Sequence, residues 1–234
     1  MKANKDEVAI HKNNIKQMSD TFRLAALLAV IGGYLDAYSY LARGKVFANA
    51  QTGNMVLFGI RLIEGKWIES INYFIPILAF AAGILVAEGI RSKFSTLNRG
   101  HWRQIVLSIE ILALFVTAFL SKGTLNMVAN TLISFVCALQ VQSFRKVNGN
   151  TFASTMCTGN LRSGTECLYR FLFKQDKDMK NRCLQYYGII IFFIVGAGIG
   201  AWLTGKMLEK SVLVCCLLLV VAIFMMWNSK EKDS

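Results

Sequence analysis

Charge is scarce in this 234-residue chain: 17% of residues are Asp, Glu, Lys or Arg, against 54% that are apolar. A soluble domain carries roughly a quarter of its residues charged, so this balance points to a different solvent, lipid. Histidine is nearly absent, and His11 and His101 lie far apart in basic polar stretches, so no histidine-based metal site is expected. The six cysteines, Cys137, Cys157, Cys167, Cys183, Cys215 and Cys216, form no Cys-x-x-Cys pair and no metal-ligand spacing with histidine. They read as small buried apolar residues, the adjacent Cys215 and Cys216 included. No Gly-x-x-x-x-Gly-Lys-Ser/Thr loop is present, which argues against ATP-driven transport by this chain alone. No Gly-x-Ser-x-Gly elbow or nucleophile–base pair supports an enzyme. The expectation is therefore no catalytic residue, no metal and no cofactor.

What the chain has is long apolar runs. Eight can be marked: Phe22–Leu41, Val46–Ile63, Ile71–Ile90, Ile105–Leu120, Leu125–Phe144, Phe152–Phe173, Tyr186–Leu203 and Val212–Trp227. A helix rising about 1.5 Å per residue needs roughly 20 apolar residues to cross about 30 Å of hydrocarbon. These runs therefore predict an all-α integral membrane protein. The formal charge of +12 sits in the N-terminal tail and in loops beside apolar segments, as topology and lipid head groups require. No nucleic-acid-binding motif accompanies it, so the expected partners are membrane lipids and not nucleic acid. Met1–Asp20 is polar and too long before the first apolar run to read as a cleaved signal, so the first span is expected to stay in the mature protein.

Two runs are poor spans. Val46–Ile63 carries Asn49, Gln51, Thr52, Asn54 and Arg61, and Phe152–Phe173 carries Asn160, Arg162, Glu166 and Arg170, each costly if it faces lipid. An internal repeat makes them odd in the same way. Leu35-Asp36-Ala37-Tyr38-Ser39-Tyr40 resembles Leu139-Gln140-Val141-Gln142-Ser143-Phe144, and each is followed by a Phe-Ala pair and then by Thr-Gly-Asn. Gly83 and Ala87 in the third run match Gly196 and Gly200 in the seventh, a spacing that lets helices approach closely. Each half is thus a span, a Thr-Gly-Asn segment, a small-residue span and a span. The expected organisation is a cytoplasmic tail (1–20), one transmembrane domain (21–228) made of repeats 21–121 and 124–228, and a cytoplasmic tail (229–234).

Loop charge arbitrates whether the Thr-Gly-Asn segments cross. If both enter and leave on one side, the basic Arg91–Arg103 loop moves inside and Arg162 leaves the bilayer. Six spanning helices plus two broken or re-entrant segments are then expected, three spans to a half, so that the repeats are inverted. The alternative is eight full spans in two parallel repeats.

Gly33-Tyr34-Leu35-Asp36-Ala37, Val46-Phe47-Ala48-Asn49, Thr52-Gly53-Asn54 and Gly59 together resemble the YoaK-like family of bacterial membrane proteins, also called domain of unknown function 1275. The likeness covers nearly the whole chain, with Gln140 and Thr158-Gly159 as its second-half counterpart. It implies a multi-pass protein of the bacterial inner membrane and no defined activity.

Asp36 lies deep in the first run, where a carboxylate must face the protein interior. It is expected either to couple protons or cations or to cap the Thr-Gly-Asn backbone. Thr52, Gly53, Asn54, Thr158, Gly159 and Asn160, with Asp36 and Gln140, form the candidate solute site, because exposed N–H groups at a new helix start attract anions or polar dipoles. Glu110 is a second coupling candidate, Glu88 is expected at the interface with Arg91 close by, and Arg162 stands i, i+4 from Glu166, a spacing at which the two would neutralise each other. The single proline, Pro76, is expected to bend the third span. Trp67, Tyr73, Trp102, Tyr186, Tyr187 and Trp227 would form interfacial belts. The reading is a secondary transporter or permease for a small polar or anionic solute. The alternatives are a non-catalytic scaffold or assembly factor and, less favoured, a membrane-embedded enzyme acting on a lipid-soluble substrate. The Gly83/Ala87 and Gly196/Gly200 faces would serve contacts within the chain or a homo-oligomer.

Overall fold

The computed structural model describes residues 21–94, 101–147, 150–151 and 157–228. The two expected tails, His11 and the second Phe-Ala pair, Phe152-Ala153, lie outside the described residues. The α-helices are α1 (Phe22–Ala42), α2 (Gln51–Ile63), α3 (Trp67–Phe94), α4 (His101–Thr117), α5 (Asn126–Ser143), α6 (Cys157–Phe173), α7 (Asp178–Met207) and α8 (Leu213–Asn228). A 3-10 turn, Leu208–Val212, joins α7 to α8, and a short hairpin pairs Lys146–Val147 with Asn150–Thr151. Each of the eight apolar runs overlaps one of these helices, although Val46–Ala50 and residues 118–120 are not helical and residues 152–156 lie outside the described residues.

Length separates two kinds of helix. Phe22–Ala42, Trp67–Phe94 and the continuous stretch Asp178–Trp227 are long and apolar enough to cross a bilayer. The 13 residues of α2 rise only about 20 Å, short of the ~30 Å of hydrocarbon. The surface is greasy and the interior polar in places: Leu85, Ile194, Leu217 and Phe224 are exposed while Asp36, Arg43, Asn54, Glu110 and Gln140 are buried. Water would not tolerate that arrangement, whereas lipid favours it.

Close backbone approach sets the packing. A Cβ on Gly196 would overlap the carbonyl of Val30, one on Gly200 would sit 2.8 Å from the Tyr34 Cα, and one on Gly188 would meet the Phe22 ring. α1 and α7 therefore run parallel in tight contact. Gly83 lies equally tight against Phe135 and Ala138, and the Gln142 amide donates to the Glu88 carboxylate, so α3 and α5 are also parallel. Between the halves, Gln140 Nε2 donates to the Leu28 carbonyl (3.2 Å) and Asn130 Nδ2 to the Arg43 carbonyl (2.8 Å), which makes α1 and α5 antiparallel. Gly83, Ala87, Gly196 and Gly200 are all buried against other helices of the same chain.

Two expected details need correction. Tyr73 and Trp102 are buried, not part of an outer belt, although Trp67 and Trp227 are exposed. Arg162 and Glu166 form no ion pair among the described residues and both point outward, because two exposed long side chains gain little from pairing. Glu88 does pair with Arg91, at 3.3 Å.

Gly196→Leu should lower the melting temperature of the purified protein in detergent sharply, since overpacking against a backbone carbonyl cannot be relieved by rotating a side chain. Gly198→Ala, where a Cβ meets nothing within 4 Å, should leave it unchanged; equal shifts would refute this account of the packing.

Candidate functional site

The segment after α1 turns back into the protein. Gly44 (φ 89°) and Lys45 (φ 65°) occupy the left-handed region, reversing the chain so that Asn49 returns to the level of Gly32 and Asp36 on α1. Asn49 Nδ2 donates to the Gly32 carbonyl (3.2 Å), and the Asn49 and Ala50 amides donate to Asp36 Oδ1 (2.6 and 3.4 Å). Ala50, at the N-cap of α2, offers no side-chain acceptor. The carboxylate of α1 thus caps the start of α2, one of the two roles its depth implied.

Asn54 locks the same turn. Its Oδ1 accepts from the Phe47 amide (2.9 Å), and its Nδ2 donates to the Phe47 carbonyl (2.8 Å) and to Gln51 Oε1 (2.9 Å). Gly53 packs beneath the Phe47 ring, where a Cβ would come within 2.9 Å. Its smallness serves close approach, not a left-handed turn. At its far end α2 is fixed by Arg61, which pairs with Glu64 (2.6 Å) and Glu69 (3.5 Å). Lys66, then Arg61, hold the Glu64 carboxyl below the usual carboxylate range.

One cavity of about 1290 Å³ joins the two halves. α1, α2 and α3 line it from one half and α5, α6 and α7 from the other, while α4 and α8 contribute no lining residue. Of the expected site residues, Asp36, Thr52, Thr158, Gly159 and Asn160 meet there. Gly53 and Asn54 do not line it, being turned toward Phe47, and Gln140 does not, being hydrogen-bonded to α1; Gln142 lines it instead. Glu110, on α4, is fully buried away from the cavity, and neither of its oxygens has a hydrogen-bond partner among the described residues. No group of three or more metal-ligating side chains occurs among them either.

The sequence reading missed Arg43, the largest fully buried side chain. Its Nε donates to Tyr38 Oη (2.9 Å), Nη1 to the Leu120 carbonyl (2.9 Å) and Nη2 to the Thr117 carbonyl (2.8 Å). Those carbonyls close the C-terminal end of α4, where a cation is favoured.

A greasy exterior, buried polar residues and long apolar helices define an all-helical integral membrane protein. Residues 24–225 match the family described as Protein of unknown function (DUF1275), and the chain belongs to that family. It is similar to the UPF0700 transmembrane protein YoaK of Bacillus subtilis (strain 168), 30% identical over 180 residues that cover 73% of this chain and 79% of that protein. No solved structure matches.

Asn54→Ala should cost about 1–3 kcal/mol, the penalty for stranding buried backbone groups, read as a lower melting temperature. Thr52→Ala, at an exposed cavity position, should leave the melting temperature within error of the native protein.

Proposed function

We propose that the chain is a secondary transporter or permease of the bacterial inner membrane, moving a small polar or anionic solute through the cavity between its halves. The observation that carries the reading is that both Thr-Gly-Asn segments, thirteen-residue α2 and its counterpart α6, begin at the wall of the same cavity. Helices whose starts meet inside a bundle present N–H groups to a solute.

The architecture that fits is six spans, α1, α3, α4, α5, α7 and α8, with α2 and α6 re-entrant, and both termini cytoplasmic. The antiparallel α1 and α5 support inverted repeats: equivalent first helices point opposite ways, and each pairs in parallel with the third helix of the other half. The return of Asn49 to the level of Asp36 supports re-entry, since the chain is back inside the bundle before α2 starts. Eight parallel-repeat spans would require α1 and α5 to point the same way.

Coupling falls to Asp36. Its carboxylate both lines the cavity and holds the amides before α2, so protonation or cation binding there would weaken the cap and link an ion to the position of the half-helix. Glu110 is a second, more remote coupling site. A scaffold that recruits partner helices through Gly83/Ala87 or Gly196/Gly200 is less favoured, because helices of this chain already fill those faces. We assign no catalysis.

In a variant freed of native cysteines, Cys at Thr52 should label from one side of the membrane and Cys at Thr158 from the other. Labelling of both from the same side would reject inverted re-entry. Asp36→Asn, which keeps an oxygen acceptor for the cap, should fold normally yet lose gradient-driven flux in proteoliposomes; undiminished coupled flux would remove Asp36 from the mechanism.

A further inference from the structure

Resting on the transport reading, the cavity wall narrows the class of solute. Two charged side chains line it, Asp36 and Arg145. Asp36 is buried and compensated by the backbone amides it accepts from. Arg145, two residues beyond α5, is exposed, and no carboxylate pairs with it among the described residues. The uncompensated charge facing the cavity is therefore positive, and an anion is the complementary ligand.

Size and surface exclude a bare inorganic ion. A volume of about 1290 Å³ exceeds the roughly 300–1,000 Å³ usual for sites that enclose drug-sized ligands. Tyr40, Phe47, Ile77, Phe80, Ile84 and Phe193 supply much of the wall, and neither the aromatic rings nor the aliphatic chains can replace an ion's water shell. Phosphate or chloride beside Arg145 would leave that apolar surface without a partner. A neutral sugar could meet Gln51, Thr52, Gln142, Thr158 and Ser163 on the same wall but would leave the Arg145 charge without a counter-charge.

We propose that the cavity takes an organic anion with an apolar body, its charged end at Arg145 and its body along the aromatic and aliphatic wall. The same chemistry reaches a membrane cavity either from water, as an aryl carboxylate, or from the bilayer, as a fatty acid.

The test is equilibrium dialysis of the full chain in nanodiscs, with empty nanodiscs subtracted. The probes are phenylpropanoate, its neutral amide, inorganic phosphate and dodecanoate. At least one organic carboxylate should bind saturably and about tenfold or more tighter than its neutral amide or phosphate, the size expected of one charge-assisted contact. Preference for phenylpropanoate would assign the aqueous source and preference for dodecanoate the lipid one. Arg145→Lys should keep the discrimination, and Arg145→Gln, at an unchanged melting temperature, should abolish it while leaving amide binding as it was. Equal affinity for carboxylate and amide in the unmodified protein, saturation by phosphate alone, or no saturable carboxylate binding would each overturn the proposal, whether or not the variants fold. Carboxylate binding without flux in proteoliposomes would remove the transport reading and keep the ligand class. Flux of a solute that neither carboxylate competes with would remove the ligand class and keep transport.

Discussion

Irregular backbone inside a membrane protein must find hydrogen-bond partners away from water, and the arrangement of this chain follows from how that requirement is met after α1. Five non-helical residues, Val46–Ala50, return into the bundle and present amides that no helix ladder satisfies. Asp36 accepts two of them, and Asn54 takes the Phe47 amide and carbonyl together. Remove those acceptors and the start of α2 has no reason to stay at the depth of Gly32. With them, a short helix begins beside the cavity.

The second requirement is contact without a hydrophobic driving force, since lipid tails are as apolar as leucine. Close backbone approach supplies it: Gly33, Gly196 and Gly200 bring α1 against α7, and Gly83 brings α3 against α5. Each of these contacts joins a helix of the N-terminal half of the chain to one of the C-terminal half. The halves consequently interlock, and helices of both wall the cavity between them.

Much of this was legible in the sequence. The eight runs became eight helices because long apolar segments, once in lipid, have no alternative to intrahelical hydrogen bonds, and the small-residue spacing named its own contacts. The cavity residues were readable where the signal was local, as with Thr52 and Thr158-Gly159. Gln140 was misplaced because a repeat alignment fixes register and not facing. Gln142 lies two residues on, about 200° further round a 3.6-residue helix, and so faces the cavity while Gln140 faces α1. Arg43 escaped notice because its carbonyl acceptors are 74 and 77 residues away. Nothing near it in the chain distinguishes it from an ordinary loop cation.

Arg43 and Arg145 together distinguish the two ends of the bundle. They follow antiparallel helices and lie at opposite ends. At the first end Arg43 is buried, and its hydrogen bonds tie α1 to α4, while Asn130 ties α5 to the Arg43 carbonyl and Tyr34 and Tyr38 tie α1 to the turn after α7. Moving any one of these elements would leave a buried guanidinium or carbonyl unpaired, a cost of several kcal/mol in an apolar interior. At the second end Arg145 stays exposed, and its displacement breaks no buried bond among the described residues. At that end α5 is tied instead through Arg103, whose Nε donates to the Ser143 carbonyl (3.1 Å), and through the Gln142 amide on the Glu88 carboxylate, while Arg145 carries the uncompensated charge at the cavity.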